Sequence, residues 1–147
     1  MKIEKFENIK IGYMRRIGKY GPENKLLMET FKNFLAGHGL FNENTVILGI
    51  ALDDPNSIPS DQLRYDIGVI INDIKDIKDI PLDTRIIPSG NYAVFEIPHT
   101  REAVSDFWKN IDAVLNTLDA DCEKPVIERY SAEKISKGLC EFCIPLK

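Results

Sequence analysis

A single acidic residue stands within a strand-like segment rich in apolar and aromatic side chains. Residues 125–130 read Pro-Val-Ile-Glu-Arg-Tyr, and Val, Ile and Tyr favour a pleated, half-buried surface. Because side chains alternate along a strand, Val126, Glu128 and Tyr130 share one face. A carboxylate beside an aliphatic and an aromatic side chain suits an apolar groove that meets a cationic or basic ligand. An edge strand with Glu128 pointing into water is the alternative interpretation of the same pattern.

The cysteines and histidines give little support for metal or redox chemistry. Cys140 and Cys143 have the CxxC spacing, which occurs in metal and redox sites. A zinc site requires two more ligands, and a thioredoxin-like motif stands between a strand and a helix. Here the two thiols fall within a predicted terminal strand, where they face opposite sides. His38 and His99 are far apart in sequence and form no ligand motif. We therefore predict buried thiols, no metal and no cofactor.

Composition narrows the class of protein. The chain has 147 residues, of which 44% are hydrophobic and 29% charged, as in an ordinary globular domain with a sizeable core. A net charge of −4 with no basic run disfavours direct binding of nucleic acid. No apolar run is long enough to span a membrane, and residues 1–7 lack the apolar core of a signal peptide. We therefore predict a cytoplasmic protein that binds no membrane.

The first half of the chain, to about residue 75, predicts a strand, a helix and two strands. Residues 9–17 alternate as a strand. A turn follows, and Pro22 suits the first position of an amphipathic helix. Residues 45–52 and 63–71 predict the next two strands. A connector of mixed Ile, Lys and Asp then leads to the second half.

The second half, from about residue 85 to 147, repeats this order. Residues 91–97 predict a strand, and apolar residues at helical spacing over 104–118 predict a helix. Residues 126–130 and 139–146 predict the last two strands. The repeat is one of pattern and not of residue identity, and such repeats decide the architecture.

The repeat predicts one α+β domain over residues 1–147. Two small sheets with one helix each cannot bury a satisfactory core alone. Packed about a pseudo-twofold axis, they form a continuous antiparallel sheet with both helices on one face. The opposite face is then concave, with a groove between the halves in which a small-molecule pocket is expected.

Six short motifs follow one another along nearly the whole chain. They are Arg-Ile-Gly-Lys-Tyr-Gly-Pro at 16–22, Leu-Arg-Tyr-Asp at 63–66, Gly-Asn-Tyr-Ala-Val-Phe at 90–95, Phe-Trp at 107–108, Ile-Glu-Arg-Tyr at 127–130 and Phe-Cys-Ile-Pro-Leu at 142–146. Their order resembles the GyrI-like small-molecule-binding domain family. That family includes the effector-binding domains of AraC-type and MerR-type multidrug regulators and the free-standing DNA gyrase inhibitory proteins. Where it often has His-x-Gly-Pro, this chain has Pro-His-Thr-Arg at 98–101. No DNA-binding helix pair precedes the motifs, so we expect a stand-alone ligand domain.

The resemblance implies a groove lined with aromatic rings around one acidic residue, which Glu128 matches. A carboxylate in an apolar site loses hydration and favours a ligand cation, and aromatic faces add cation–π attraction. We predict a small amphipathic ligand, hydrophobic, cationic or planar aromatic, bound for drug or toxin sequestration or for effector sensing. The predicted ligand-binding residues are Glu128, Tyr65, Phe95, Trp108, Tyr130 and Tyr20, and no catalytic residue is assigned.

The same resemblance leaves other functions open. Some GyrI-like proteins hydrolyse cyclopropane-containing genotoxins with the groove Glu acting on water or on developing charge, so an enzyme remains an alternative. The gyrase inhibitory members imply action by protein–protein contact, with DNA gyrase or a regulatory protein as the partner. Haem-binding proteins of similar fold exist, but the two histidines give no pattern of axial ligands. The oligomeric state is left open.

Overall fold

The computed structural model describes residues 1–147, apart from the side chain of Ile74. The strands are β1 (Lys2–Phe6), β2 (Lys10–Ile17), β3 (Val46–Ala51), β4 (Arg64–Ile71), β5 (Asp83–Ile86), β6 (Gly90–Pro98), β7 (Ile127–Ser131) and β8 (Leu139–Pro145). The helices are α1 (Pro22–Gly37), α2 (Arg101–Lys109), α3 (Ile111–Asn116) and α4 (Ala132–Ser136), and short 3₁₀ turns lie at Ser60–Gln62 and Ile74–Ile77. All strands join one eight-stranded antiparallel sheet. The predicted α+β class is confirmed.

The order of the strands, β1-β6-β8-β7-β3-β4-β2-β5, contains the pseudo-twofold repeat. The halves meet where β3 pairs with β7. Outward from this junction, β4, β2 and β5 on one side correspond to β8, β6 and β1 on the other. The first strand of each half is exchanged, because β1 pairs with β6 and β5 pairs with β2. Neither half therefore completes its part of the sheet without the other.

Alternation along the strands gives the sheet two apolar faces. On one face, α1 packs through Phe31 and Leu35, and α2 and α3 cover the same face near Ala93 and Ile144. The other face carries the core residues Phe6, Ile11, Leu48, Ile50, Ile87, Tyr92, Val94, Ile127 and Cys143. Full burial of one such aliphatic or aromatic side chain contributes about 1.5–3 kcal/mol. Neither α1 nor α2 covers this second core, because the sheet curls around it as a half-barrel.

Local sequence sets the ends of the two longer helices. Gly21, at φ 152°, makes the turn that allows Pro22 to take the first helical position, where its missing N–H is not needed. The hydroxyl of Thr100 accepts a hydrogen bond from the Ala103 N–H at 3.1 Å and so caps the start of α2. The helix predicted over 104–118 is two helices. Asn110 ends α2, and its side-chain amide donates to the backbone carbonyl of Asp106 at 2.8 Å.

Three elements were not predicted from the sequence. β1 and β5 are the two edge strands, and each pairs with a strand of the other half. Their partners are distant in sequence, so no hairpin pattern marks them, and β5 has only four residues. α4 has five residues and is capped by Ser131, whose hydroxyl accepts from the Lys134 N–H at 3.3 Å. Such a short helix leaves little apolar periodicity to detect.

The predicted groove residues lie on a different face from the one expected. The sequence predicts the groove on the concave face opposite the helices, but that face carries the large apolar core. Glu128, Tyr65 and Tyr130 lie on the helix-bearing face, where Trp108 of α2 contacts Glu128. The physical reason is that the curled sheet packs apolar side chains of its own strands against one another on that face. The β3–β7 junction lies instead between the two helix-covered halves.

Candidate functional site

Glu128 lies at the centre of the sheet, where the two halves meet. In β7 it is opposite Gly49 of β3 and Phe142 of β8. Only 6% of the residue is exposed. Since β7 is paired on both sides, the alternative of an edge-strand Glu in water is wrong.

Two aromatic side chains donate hydrogen bonds to the carboxylate of Glu128. The Tyr65 hydroxyl donates to Oε1 at 2.7 Å, and Trp108 Nε1 donates to Oε2 at 2.9 Å. Tyr65 belongs to β4 in the first half and Trp108 to α2 in the second, so the carboxylate joins the halves. The hydroxyl of Tyr130 also interacts with this carboxylate.

Burial raises the pKa of Glu128, because the ionised carboxylate loses its hydration. The hydrogen bonds from Trp108 and Tyr65, together with the nearby hydroxyl of Tyr130, oppose this effect without cancelling it. Burial, and secondly the charge of Glu128, raises the pKa values of Tyr65 and Tyr130. Both phenols therefore remain protonated hydrogen-bond donors at neutral pH.

Glu128 differs in charge pairing from the other buried acids. Asp66, Glu128 and Glu141 are the buried carboxylates of the part of the chain that the structure describes. Asp66 and Glu141 each form ion pairs with arginine at 2.7–2.9 Å. Among the described side chains, no lysine or arginine forms an ion pair with Glu128. Its ionised form thus leaves a buried negative charge that only neutral donors contact.

A cluster of rings lies beside the carboxylate. Phe142 is fully buried next to Glu128, and the ring of Trp108 meets it edge-on at 5.3 Å. Phe107 stacks on Phe142 at 4.0 Å, and Phe95 packs against Phe107 at 5.6 Å. Phe95 therefore lies two strands from Glu128, beyond Phe142, and its role in ligand binding stays a prediction. Phe107 and Phe142 are not among the residues predicted from the sequence, although pairing of the last two predicted strands places Phe142 beside Glu128.

Tyr20 supports the site without facing the carboxylate. Its ring meets that of Tyr65 edge-on at 6.3 Å. Its hydroxyl donates to the backbone carbonyl of Arg64 at 2.6 Å and accepts from the Asp53 N–H at 3.2 Å. Tyr20 thus fixes the start of β4, the strand that carries Tyr65.

His99 flanks the site from the second half and was not predicted as a site residue. Its ring lies 5.6 Å from that of Tyr130. Burial, followed by the charge of Lys32 on α1, lowers the pKa of His99. The imidazole is therefore neutral at neutral pH and adds an aromatic surface without a positive charge.

The thiols of β8 are buried and face opposite sides of the sheet, as expected from alternation. Cys143 belongs to the core of the concave face, whereas the charge of Glu128 acts on Cys140. Burial raises the pKa of Cys140 to about 11 and that of Cys143 to about 12. Within the described side chains, no group of three or more His, Cys, Asp or Glu is placed to hold a metal ion. No described helix has the length and apolar character needed to cross a bilayer.

A family model of the GyrI-like small-molecule-binding domain matches residues 1–147. The chain belongs to this family. YosT, an SPbeta prophage-derived candidate transcriptional regulator of Bacillus subtilis (strain 168), is 43% identical over 148 residues, which cover 99% of this chain and 97% of the relative. The resemblance drawn from the six motifs is confirmed.

Two solved structures share the fold of this domain at low identity. SAV2435, solved with bound tetraphenylphosphonium, has a TM-score of 0.65 and 17% identity, over 99% of this chain and 93% of that chain. The C-terminal domain of EcmrR has a TM-score of 0.71 and 9% identity, over 99% and 96% of the two chains. These comparisons support the fold of the domain.

Proposed function

We propose that this GyrI-like domain binds amphipathic cations that carry planar or aromatic groups, with Glu128 as the charge partner. The supporting observation is a buried carboxylate held by Tyr65 and Trp108, which no basic side chain of the described residues neutralises. An ionised group removed from water is unfavourable unless it is paired. A ligand cation supplies the missing charge. The role of such binding is sequestration of a drug or toxin, or sensing of an effector.

The rings around Glu128 add attraction and select the ligand. A cation over the face of an aromatic ring gains about 2 kcal/mol when it is desolvated. Rings have few rotatable bonds, so stacking a flat group on them loses little conformational entropy. In this conformation Trp108 Nε1 contacts Oε2. Binding therefore exchanges this hydrogen bond for an ion pair, while Tyr65 retains its bond to Oε1.

Tetraphenylphosphonium is a suitable probe, because it combines one positive charge with four phenyl groups and occupies SAV2435. Triphenylphosphine oxide is a neutral control of similar shape. Isothermal titration would compare wild type with Glu128→Gln, which removes the charge and keeps the side-chain shape. Glu133→Gln is the matched control, because Glu133 is exposed in α4 and its substitution removes the same charge as Glu128→Gln does.

We expect Glu128→Gln to weaken tetraphenylphosphonium binding at least about tenfold, which corresponds to 1.4 kcal/mol. Glu133→Gln should bind tetraphenylphosphonium with wild-type affinity. Triphenylphosphine oxide should bind Glu128→Gln and wild type with equal affinity. Circular dichroism checks that both variants fold. Equal affinity of wild type and Glu128→Gln for the cation would remove the proposal.

Hydrolysis of cyclopropane-containing genotoxins is a second candidate, because a Glu with a raised pKa suits general acid or base chemistry. The two functions differ in product formation. Wild type incubated with such a genotoxin and followed by mass spectrometry should release hydrolysed product, and Glu128→Gln should not. Saturable binding with no product would leave only the binding function.

Two proposals about context accompany this function. The sequence, in which no apolar run has membrane length and residues 1–7 lack an apolar signal core, predicts a cytoplasmic location. The resemblance predicts contact with DNA gyrase or a regulatory protein. Affinity capture with immobilised wild type, compared with Glu128→Gln, would test the partner. Gyrase subunits retained by neither protein would count against the gyrase proposal.

A further inference from the structure

We propose that Arg15 and Arg85 form a second site, which binds a small oxyanion, a carboxylate or a phosphate group. This site lies on the face of the sheet opposite Glu128. It rests on different residues from the cation site, so either proposal can fail alone.

The two arginines converge on one buried acid. Arg15 donates to the two carboxylate oxygens of Asp66 from Nε at 2.7 Å and from Nη2 at 3.0 Å. Arg85 donates to Asp66 Oδ2 from Nη2 at 2.8 Å. Both guanidinium groups also flank the ring of Tyr13, with their central carbons 5.7 and 5.2 Å from its centroid. Two positive groups are therefore held side by side on adjacent strands.

The charges of this cluster do not balance. Two guanidinium groups share the single carboxylate of Asp66, which leaves one positive charge. Arg64 does not change this sum, because Asp53 pairs with it at 2.8 Å. Asp83, two residues from Arg85 on the same strand face, forms no ion pair with either arginine among the described contacts.

The corresponding cluster of the second half is balanced. Arg129 donates to Glu141 at 2.9 Å and to both oxygens of Glu4 at 2.8 and 3.1 Å. Lys2 contacts Glu4 at 3.0 Å, so two acids meet two bases. Under the pseudo-twofold relation, Glu141 corresponds to Asp66 and Glu4 corresponds to Arg85. An arginine of the first half thus occupies the position of an acid in the second half, and of the two clusters only the first has more positive than negative groups.

A donor in the first cluster also lacks a partner. The Nε–H of Arg85 is buried and has no acceptor among the described residues. Buried polar groups in folded proteins are nearly all hydrogen-bonded, so an unpaired one requires an explanation. The N–H groups that Asp66 does not use are suited to an oxyanion, because a guanidinium presents its donors in a planar fork. The arginine side chains are 34% and 23% exposed, so solvent reaches the pair.

The Nε–Hε resonances of the arginine side chains provide a direct test. Wild type labelled with nitrogen-15 would be titrated with inorganic phosphate and, separately, with sodium acetate at constant ionic strength. We expect the Arg85 and Arg15 resonances to shift and to saturate with one of these anions. Arg129 is the internal control, because all three of its donor nitrogens already have acceptors. Saturation by phosphate alone or by acetate alone supports the site and assigns the class of its ligand.

Arg85→Lys tests whether anion binding requires the planar donor groups of the guanidinium or only its positive charge. It preserves the positive charge but removes the planar donors, so we expect anion binding at least tenfold weaker, as measured on the Arg15 resonance. Glu128→Gln should bind the anion as wild type does. Linear, non-saturating shifts equal to those of exposed Arg64 would overturn the site, as would saturation unchanged in Arg85→Lys.

Discussion

Gly49 and Glu128 occupy equivalent positions of the two halves and pair with each other across the pseudo-twofold axis. The equivalence follows from the register. Asp66 of β4 corresponds to Glu141 of β8. Asp66 pairs with Ile50 and Glu141 pairs with Arg129, so Ile50 corresponds to Arg129. Gly49 and Glu128, which precede these two residues, therefore correspond as well. Two identical halves would place two carboxylates in contact, and each would raise the pKa of the other. The glycine leaves one acid at the centre of the site, which suits a ligand with one positive charge.

Gly49→Ala should disrupt the site from within the sheet. A Cβ at this position would lie 2.6 Å from Glu128 Oε1 and closer still to the Tyr65 hydroxyl. Both side chains must move, so we expect the affinity for tetraphenylphosphonium to fall at least about tenfold. Overpacking of this kind should also lower the free energy of unfolding by about 1–3 kcal/mol. Titration calorimetry and urea unfolding measure the two effects.

Gly37→Ala is the control for this substitution, because a Cβ at Gly37 meets no atom within 4 Å. It should leave binding as in wild type and should not lower the free energy of unfolding, because alanine in place of a helical glycine is neutral or stabilising by up to about 1 kcal/mol. A Gly49→Ala protein that binds the cation with wild-type affinity would show that the geometry of Tyr65 and Glu128 does not determine binding.

Cation binding should release a proton from Glu128. Burial raises the pKa of this carboxyl in the free domain, and an adjacent ligand cation lowers it by favouring the ionised form. The affinity should therefore rise with pH through the raised pKa and become constant above it. Calorimetry in buffers of different ionisation enthalpy counts the protons released in the range just above the ordinary glutamate pKa of about 4.3. Glu128→Gln should release none, and a wild type that also releases none across this range would contradict the raised pKa.

The sequence was sufficient for the elements that carry strong local patterns. Alternation predicts β2, β4, β6 and β8, and Pro22 marks the start of α1. The face shared by Glu128 and Tyr130 follows from alternation alone. The six motifs added Tyr65 and Trp108, which the structure brings to the two carboxylate oxygens. These residues are far apart in sequence, so a resemblance was needed to bring them together.

What sequence reasoning missed depends on long-range pairing. β1 and β5 gain their structure from strands of the opposite half, so their own residues give little local indication. The face that carries the groove depends on the curl of the sheet, which alternation does not specify. Phe142 was missed because its place beside Glu128 depends on the register of β7 with β8. The break at Asn110 lies within apolar residues that would suit one continuous helix.

Trp108 should report ligand binding by its fluorescence. It is the single tryptophan of the chain, and its indole N–H donates to Glu128 Oε2. A cation that takes this oxygen breaks the hydrogen bond, so we expect a saturable change in emission with the same dissociation constant as calorimetry gives. Triphenylphosphine oxide, which cannot pair with the carboxylate, should change the emission less. Saturation of the calorimetric signal with constant tryptophan emission would place the ligand elsewhere.

Glu4 should contribute stability that is lost in acid. The hydrogen bonds of Arg129, the largest cause, lower the pKa of Glu4 from 4.5 to about 2. Because the pKa is lower in the folded state, the contribution is present above the ordinary value and disappears as pH falls from 4.5 towards about 2. Glu4→Gln should therefore lower the free energy of unfolding by about 1–2 kcal/mol at neutral pH, after allowance for solvent screening. Near pH 2 the same substitution should have little effect. Urea unfolding at several pH values measures the difference. Glu7→Gln is the control, because Glu7 is exposed and contacts Lys5 only at 3.9 Å. Its free energy of unfolding should stay close to that of wild type at every pH. A loss of stability in Glu4→Gln that does not change with pH would refute the ion pair with Arg129.

The three thiols should react at very different rates. Cys122 is exposed, whereas Cys140 and Cys143 are buried in β8. Their raised pKa values, about 11 and 12, leave little reactive thiolate at neutral pH. We expect an aromatic disulfide reagent to modify one thiol quickly in the native protein and all three in denaturant. Cys122→Ser should abolish the fast phase and keep the slow one. Because β8 pairs with β6 and β7 in the interior of the sheet, the slow phase should require opening of the sheet and accelerate in Gly49→Ala. A second fast thiol in Cys122→Ser would show that β8 is accessible without that opening.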